Sequence, residues 1–267
     1  MKSRNSEAVF LRFTSYMTEI EIEEQKTTTG AFVVFCVMLM KHDVVYFLKE
    51  GIDPAELRYS LRSIEKNFEH GDVWFVGGQP VGFKPDRVLA IEQPGLVKWQ
   101  KVRGMLARVC MTDEVPDDFW LFNDDFFILE PWHEERALYN GTLHEHILHI
   151  ESRHGGQTGY TAQLRECERL LKDAGLSTLN YAIHCPMLIN KHKMLETLAR
   201  FPLCPMFRSL YGNMHCVDSV QHKDCKIAGL DRVPDDSWCS TTGESFQAGK
   251  VGAFIRDALK DPTGYEL

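Results

Sequence analysis

The sequence predicts an α/β fold with a mostly parallel sheet flanked by helices. Short apolar runs rich in β-branched and aromatic residues alternate with amphipathic helical patterns, and glycine, proline or acidic residues end each run. This alternation begins at residue 43 and is the pattern of βαβ units. Hydrophobic residues make up 44% of the 267 residues and charged residues 25%, which excludes a disordered chain or a coiled coil.

The first predicted unit is a strand followed by a helix. Residues 43–48 (DVVYFL) form an apolar run continuous enough for a strand that is buried on both faces. Asp53 and Glu56, on either side of a proline, match a helix N-cap and a capping-box acid. Arg58 and Arg62 lie one turn apart, away from the apolar face of this helix. We therefore expect their guanidinium groups to be available for a ligand.

The next elements bring an acidic triplet to the end of a strand. We predict strands over residues 73–76 and 87–91, a helix over 98–111 and a strand over 119–122. The last strand runs directly into the NDD triplet of residues 123–125. Ligands of doubly wound sheets bind outside the carboxyl ends of the strands, so this triplet is a candidate site.

The second half of the chain is less regular. Residues 161–174 are predicted to be helical, with a glycine as the stop signal, and residues 181–189 are predicted to be a strand. A further helix is predicted over residues 191–200, before a Phe-Pro pair. We find no internal repeat and no shift in composition that marks a second domain.

Asp124 and Asp125 indicate a divalent metal site. Adjacent carboxylates repel one another unless they are solvated or share a cation. Mg²⁺ or Mn²⁺ held by such a pair keeps water sites that a diphosphate can replace, which suits a nucleotide-sugar donor. The same triplet also occurs in turns and helix caps, and that alternative stays open.

Basic residues are expected at the same edge of the sheet. Helix N-termini and guanidinium groups suit phosphates, although each such residue alone is as readily a solvated surface charge. Convergence of several of them on this edge of the sheet would favour phosphate binding. The predicted donor-binding residues are Asp53, Arg58, Arg62, Lys98, Lys101 and Arg103.

Four segments of the chain carry a family resemblance. In order, they are DVVYFLKEGIDPAELRYSLRSIEKN, FWLFNDDFFIL, NYAIHCPMLINKHKMLETLARFP and FIRDALKDPTGYEL. Together they resemble the conserved regions of the Stealth family, which includes capsular polysaccharide phosphotransferases and the N-acetylglucosamine phosphotransferase of lysosomal enzyme tagging. The resemblance implies a Rossmann-like, glycosyltransferase-A-like catalytic domain that uses a metal and a nucleotide sugar.

The resemblance also assigns roles by position. Asp125 corresponds to the essential carboxylate, His184 to the active-site histidine and Arg208 to a later arginine. These residue types suit the chemistry, because a histidine can take a proton from an acceptor hydroxyl and an arginine can hold a diphosphate. The predicted catalytic residues are therefore Asp125, His184 and Arg208, with Asp124 and Asp125 as metal ligands.

The chain departs from the family pattern in two places. Residues 47–53 read FLKEGID where the family usually has a tryptophan and a small-residue acidic turn. Leu106 stands where the family carries an acid on the helix before the NDD triplet. A helix with lysines and no acid favours direct diphosphate binding, as in ordinary glycosyl transfer, over transfer of a sugar phosphate.

We expect a metal-dependent transferase that moves a sugar, or a sugar 1-phosphate, from a nucleotide sugar to the hydroxyl of a glycan or other acceptor, in glycan or polysaccharide synthesis. Two alternatives stay open. One is a phage-type glycosyltransferase that modifies hydroxymethylated bases in DNA, and the other is an inactive sugar-nucleotide-binding module. The net charge of −8 argues against tight duplex binding, so nucleic acid is not the favoured partner.

The expected transferase domain spans residues 41–267, preceded by a partly disordered extension over residues 1–40. The extension ends in a short apolar run, residues 31–40, that is about half of the roughly 20 residues a membrane-spanning helix needs. No pattern of a secretory signal is found, and we expect a cytoplasmic protein with no membrane span.

Cysteines and histidines outside these motifs suggest a second, weaker metal hypothesis. The eight cysteines include no CxxC pair, which indicates free thiols in a reducing compartment. His215, Cys216, His222 and Cys225 are zinc-ligand types, but their spacing matches no common zinc motif, and we favour buried thiols and surface imidazoles. The histidine-rich residues 144–154 lack HExxH and are interpreted as a helix surface or an acceptor-side lining.

Overall fold

The computed structural model describes residues 41–51, 54–92, 97–216 and 218–267. The predicted extension over residues 1–40 and the predicted donor-binding residue Asp53 lie outside the described residues. None of the helices in these ranges is both long enough and apolar enough to cross a bilayer.

Strands and helices alternate through the first half, as the sequence predicts. The elements are β1 (Asp43–Leu48), α1 (Ala55–Asn67), β2 (Val73–Gly77), β3 (Arg87–Leu89), α2 (Lys98–Met111) and β4 (Asp118–Phe122). The second half contains shorter strands between helices. Its elements are β5 (Phe126–Ile128), β6 (Ala137–Tyr139), α3 (Leu143–His154), α4 (Gly159–Asp173), β7 (Met187–Asn190), α5 (Lys191–Arg200), α6 (Phe207–His215), β8 (Ser219–Gln221), β9 (Lys226–Ile227), β10 (Trp238–Thr241), α7 (Gly243–Ala248) and α8 (Lys250–Ala258).

The central sheet has the strand order β3-β2-β1-β4-β7. The four strands β1 to β4 are parallel, and β7 pairs antiparallel with β4 at the edge. The predicted α/β class with a mostly parallel sheet is therefore confirmed. The chain builds outward from β1 through β2 and β3 and then returns to the other side of β1 with β4. A crevice forms at such a reversal, outside the carboxyl ends of the two strands.

Both faces of this sheet are buried, which explains the continuous apolar run of β1. Val44, Tyr46 and Leu48 belong to a buried cluster shared with α1. Val45 belongs to a second cluster that includes the apolar face of α2. Because side chains alternate along a strand, a strand covered by helices on both sides needs apolar residues at every position.

A second, three-stranded sheet adjoins the acidic triplet. Its order is β5-β10-β9, with β10 antiparallel to β5 and parallel to β9. β5 begins at Phe126, directly after the triplet that ends β4. The chain therefore passes from one sheet to the other at Asp124 and Asp125, which brings β9 and β10 next to these acids.

The structure adds detail to two local predictions. α1 begins at Ala55, after Pro54, and Glu56 accepts a hydrogen bond from Thr241, while its predicted capping partner Asp53 lies outside the described residues. In the predicted strand over residues 181–189, only the end is a strand, from Met187. The backbone N–H groups of Tyr181, Ala182 and His184 donate to side chains instead of a neighbouring strand, that of His184 to an Asp224 oxygen at 3.2 Å.

Candidate active site

A cavity of about 380 Å³ opens at the carboxyl ends of β1 and β4. Its size is within the range of small-molecule sites. The segments that line it are far apart in the sequence: the end of β1, the start of α2, the triplet after β4, residues 182–184 and residues 205–208. Of the residues predicted from sequence, the lining contains Lys98, Asp124, His184 and Arg208.

The two adjacent aspartates face different surroundings. Asp124 lines the cavity. Asp125 turns toward the second sheet, where its Oδ2 accepts hydrogen bonds from Lys226 Nζ at 2.6 Å and Ser240 Oγ at 3.0 Å. The other oxygen, Oδ1, is buried and has no hydrogen-bond partner among the described residues. An unsatisfied buried carboxylate oxygen is costly and is a ready ligand for a cation.

Burial and mutual repulsion perturb the acids of this cluster. Burial, and then the charge of Asp125, raise the pKa of Asp124 to about 6. Glu56 is a third acid nearby, and burial raises its pKa further than the hydrogen bond from Thr241, at 2.5 Å, lowers it. Perturbed carboxylates in a cleft are typical of functional sites.

The acid cluster fits a hard divalent cation. Asp124 and the unpaired Oδ1 of Asp125 are oxygen donors of the kind that Mg²⁺ or Mn²⁺ prefers. Such ions are commonly held by one or two carboxylates together with the phosphates of a substrate. The residues at this position are therefore compatible with the predicted metal.

His184 is held by a carboxylate that the sequence analysis missed. Its Nδ1 lies 3.0 Å from Asp224 Oδ2, and its backbone N–H donates to Asp224 Oδ1 at 3.2 Å. The hydrogen bonds from His184 outweigh burial and keep the pKa of Asp224 below its usual range. An ionised Asp224 favours the tautomer with the proton on Nδ1, so Nε2 has a lone pair available to the cavity.

Arg208 is a buried cation in the cavity wall. Its Nη1 donates to the Cys185 carbonyl at 2.7 Å, and the guanidinium carbon lies 5.6 Å from the centre of the Phe126 ring. Among the described residues no carboxylate lies within 4.0 Å of it. Burial lowers the pKa of Arg208, although a guanidinium stays protonated in proteins. The carboxylates of Asp125 and Asp224 act on its charge from beyond this distance, so Arg208 has no direct ion pair in the described part of the chain.

Arg58 and Arg62 do not join the cavity, contrary to the sequence prediction. Arg62 Nε lies 2.7 Å from Glu266 Oε1, and Arg58 also pairs with Glu266. Arg62 further donates to the carbonyls of Leu259 and Lys260 at 3.1 and 2.9 Å. These guanidinium groups fasten the C-terminal residues to α1, and their face of the helix is occupied.

The other two basic residues predicted on α2, Lys101 and Arg103, do not line the cavity, whereas Lys98 does. Arg103 donates to the carbonyls of Leu198 and Phe201 at the end of α5, at 2.5 and 3.3 Å. Arg103 therefore joins two helices and does not line the cavity. Lys101 is half-buried on α2 and does not line the cavity.

Three site residues were missed because they lack a local signal. Glu56 was interpreted as a helix cap, and Asp224 and Lys226 lie in a segment without a motif. β9 and the turn before it bring Asp224 to His184 and Lys226 to Asp125. Such contacts depend on how the second sheet meets the first, which sequence periodicity does not encode.

The histidine-rich helix α3 lies on the side of the cavity formed by α4. The ring of His146 contacts that of Tyr160, a cavity-lining residue, with 6.3 Å between centroids. Other polar side chains of α3 pair at the surface, such as Glu151 with Arg165 at 2.7 Å.

No known protein family and no curated protein matches the sequence. Solved glycosyltransferases resemble its structure. The galactosyltransferase LgtC, solved with donor and acceptor sugar analogues, is 11% identical, with 84% of this chain and 85% of LgtC covered and a TM-score of 0.38. The glycosyltransferase GlyE of Streptococcus pneumoniae TIGR4 is 10% identical, with 69% of this chain covered and a TM-score of 0.36.

The chain spans 45% of GlyE, less than half of its length. The comparisons do not show a relation to the Stealth family specifically. At such low identities and TM-scores, the likeness carries no information on the chemistry of the cavity, so functional inference rests on the residues themselves.

Proposed function

We propose that the protein is a metal-dependent glycosyltransferase that moves a sugar from a nucleotide sugar to an acceptor hydroxyl. The observation that carries this proposal is Arg208, a buried cation without a carboxylate partner among the described residues, in the wall of the same cavity as Asp124. A buried charge needs compensation, and an anionic ligand can supply it. A diphosphate is an anion that also suits a guanidinium fork.

The metal would be held by Asp124 and by Oδ1 of Asp125. When bound, Mg²⁺ or Mn²⁺ supplies positive charge that offsets the negative charge developing on a departing nucleoside diphosphate. Lys226 and Ser240 would hold Asp125 in position, since both bond to its other oxygen. Lys98, exposed at the first position of α2, would meet the phosphates at the cavity mouth.

His184 would act as the base for the acceptor. Asp224 keeps the proton on Nδ1, so Nε2 can accept the proton of the attacking hydroxyl as the new bond to the sugar forms. Asp224 then stabilises the resulting imidazolium, as the acid of a catalytic triad does. Arg208 would hold the charge of the departing diphosphate.

Transfer of the sugar is preferred here over transfer of a sugar phosphate. Leu106 is fully buried in the core cluster on the α2 side of the sheet. α2 therefore contributes Lys98 to the cavity and no carboxylate, which suits binding of a diphosphate leaving group.

The test is binding and turnover of UDP-, GDP- and CMP-sugars with and without Mn²⁺. We expect one donor to raise the melting temperature in the presence of Mn²⁺, because a ligand that binds the native state stabilises it. Arg208→Lys should weaken the affinity for this donor by about 10- to 100-fold, since lysine loses the forked geometry. His184→Ala should keep donor binding and lose about 100-fold or more in turnover.

Arg256→Lys is the matched control for Arg208→Lys. Arg256 also bonds to a backbone carbonyl, that of Phe246 at 2.8 Å, and stacks on the Phe246 ring at 5.5 Å, but it does not line the cavity. The proposal fails if no nucleotide sugar stabilises the protein or if the two lysine variants bind the donor equally well. Donor binding without turnover under any metal would instead indicate an inactive binding module.

A further inference from the structure

Three potential metal ligands meet away from the acid cluster. His222, Cys225 and Asp236 each offer one ligand atom, and these atoms all lie within 4.8 Å of one another. Two of the ligands come from one short segment with the spacing H-x₂-C, and the third precedes β10. Cys225 is buried, while His222 and Asp236 are partly accessible, with 28% and 17% of their side chains exposed.

The imidazole of His222 is oriented as in metal sites. Its Nδ1 lies 3.0 Å from the carbonyl oxygen of Lys223, which only accepts, so Nδ1 carries a proton. Nε2 then faces Asp236 Oδ2 at 3.5 Å, too far for a direct hydrogen bond. Histidine ligands of metals usually donate their second ring N–H to a carbonyl or carboxylate in this way. The Trp238 ring, with its centroid 4.4 Å away, restrains the imidazole further.

The surroundings of Cys225 also favour a cation. Its Sγ lies 3.8 Å from the Lys223 carbonyl and also contacts the carboxylate of Asp236. The buried Sγ has an imidazole nitrogen and a carboxylate oxygen within 4.8 Å, and coordination to a zinc ion would deprotonate the thiol. Lys223 Nζ lies 3.4 Å from Asp236, but it also has Asp235 at 3.0 Å and can pair with that residue alone.

We propose that His222, Cys225 and Asp236 bind a Zn²⁺ ion that fixes the segment over residues 222–226. The thiolate and imidazole of this set suit zinc better than Mg²⁺ or Mn²⁺, zinc also accepts a carboxylate, and three protein ligands leave a fourth position open. The site is separate from the acid cluster and uses none of its residues. The sequence grouping with His215 and Cys216 is replaced by one with Asp236, since His215 instead contacts Thr197 at 3.1 Å.

The ion would stabilise residues that position the candidate active site. The segment that it fixes also contains Asp224, which holds His184, and Lys226, which holds Asp125. This positioning role rests on the proposed function, whereas zinc binding itself does not.

The test measures metal binding on tag-free protein. We expect one zinc per chain by mass spectrometry of the gel-filtered protein, removal by a chelator, and restoration by added Zn²⁺. Replacement by Co²⁺ should give a thiolate-to-cobalt charge-transfer band in the near ultraviolet. Cys225→Ser should abolish this band and Asp236→Asn should weaken zinc affinity at least tenfold. Cys216→Ser and the exposed Asp231→Asn, the matched controls, should leave both unchanged.

Two results would overturn the proposal. One is an unaltered chain that takes up neither Zn²⁺ nor Co²⁺, a measurement that needs no variant to fold. The other is a folded Cys225→Ser protein that retains the cobalt band, which would assign the thiolate elsewhere. A chain that binds zinc but no nucleotide sugar would leave this site intact and remove the proposed function. A chain that turns over a nucleotide sugar without binding zinc would do the reverse.

Discussion

Asp124 shows how a single residue of the candidate site destabilises the fold. Its carboxyl group is buried beside Asp125, and its pKa rises from 3.8 in the unfolded chain to about 6 in the folded one. Below the unfolded pKa both states are protonated and the residue has no effect. Above the folded pKa the folded state must carry an unfavourable charge, so stability falls as the pH rises between these values.

Asp124→Asn should therefore stabilise the metal-free protein in a pH-dependent way. We expect a gain on the order of 2 kcal/mol at pH 7.5, since one pKa unit corresponds to about 1.4 kcal/mol and part of the shift is screened by solvent. The gain should shrink toward zero near pH 4. Urea unfolding at several pH values measures it, with the exposed Asp113→Asn as the control. An equal gain at all pH values would contradict this origin.

At the scale of elements, the packing of α6 determines where Arg208 lies. Gly212 is one turn after Arg208, and a Cβ at this position would come within 2.4 Å of the Tyr181 ring. The Tyr181 hydroxyl is itself held at 2.8 Å from that of Ser219. Helix and ring are thus in direct contact, and a side chain between them would have to push α6 outward.

Gly212→Ala should destabilise the protein and weaken donor binding together. We expect a loss of about 1–3 kcal/mol, typical of overpacking, measured by equilibrium unfolding, with a lower donor affinity as Arg208 moves. Gly159→Ala in the first turn of α4 is the control, because a Cβ there meets nothing within 4 Å. Unchanged donor affinity in a destabilised Gly212→Ala protein would show that α6 moves without displacing Arg208.

Elements with their own periodicity were the ones predicted well. α2 and α5 match their predicted bounds because the apolar spacing and the flanking breakers are local. β5, β9 and β10 have two to four residues each and were not predicted. Such short strands exist only through pairing with one another. The acids and His184 were found through motifs, whereas their partners Lys226 on β9 and Asp224 before it were not.

At the scale of the whole molecule, the C-terminal residues close the fold over α1. Glu266 is nearly buried and pairs with Arg58 and Arg62. The backbone beside it bonds to the loop after β2, through Tyr265 O with Lys84 N at 2.8 Å and Leu267 N with Gly82 O at 3.0 Å. The arginines predicted to bind phosphate are therefore paired with a C-terminal carboxylate in this structure.

Glu266→Gln should destabilise the protein without affecting donor affinity. We expect a loss of about 3 kcal/mol, because the change leaves a largely buried Arg62 without its counter-charge. Denaturant unfolding measures the loss. Asp173→Asn, which breaks the exposed pair with Arg169, should change stability by less than about 1 kcal/mol. A drop in donor affinity in Glu266→Gln would instead indicate that Arg58 and Arg62 take part in donor binding.

The five residues from His222 to Lys226 contact two different groups of residues. Asp224 and Lys226 reach inward to His184 and Asp125, whereas His222 and Cys225 meet Asp236. The segment meets both groups within five residues, so its length matters as much as its composition. Losing or gaining one residue between His222 and Lys226 would shift one side of the segment relative to the other and break contacts of both groups, even if every residue type were retained.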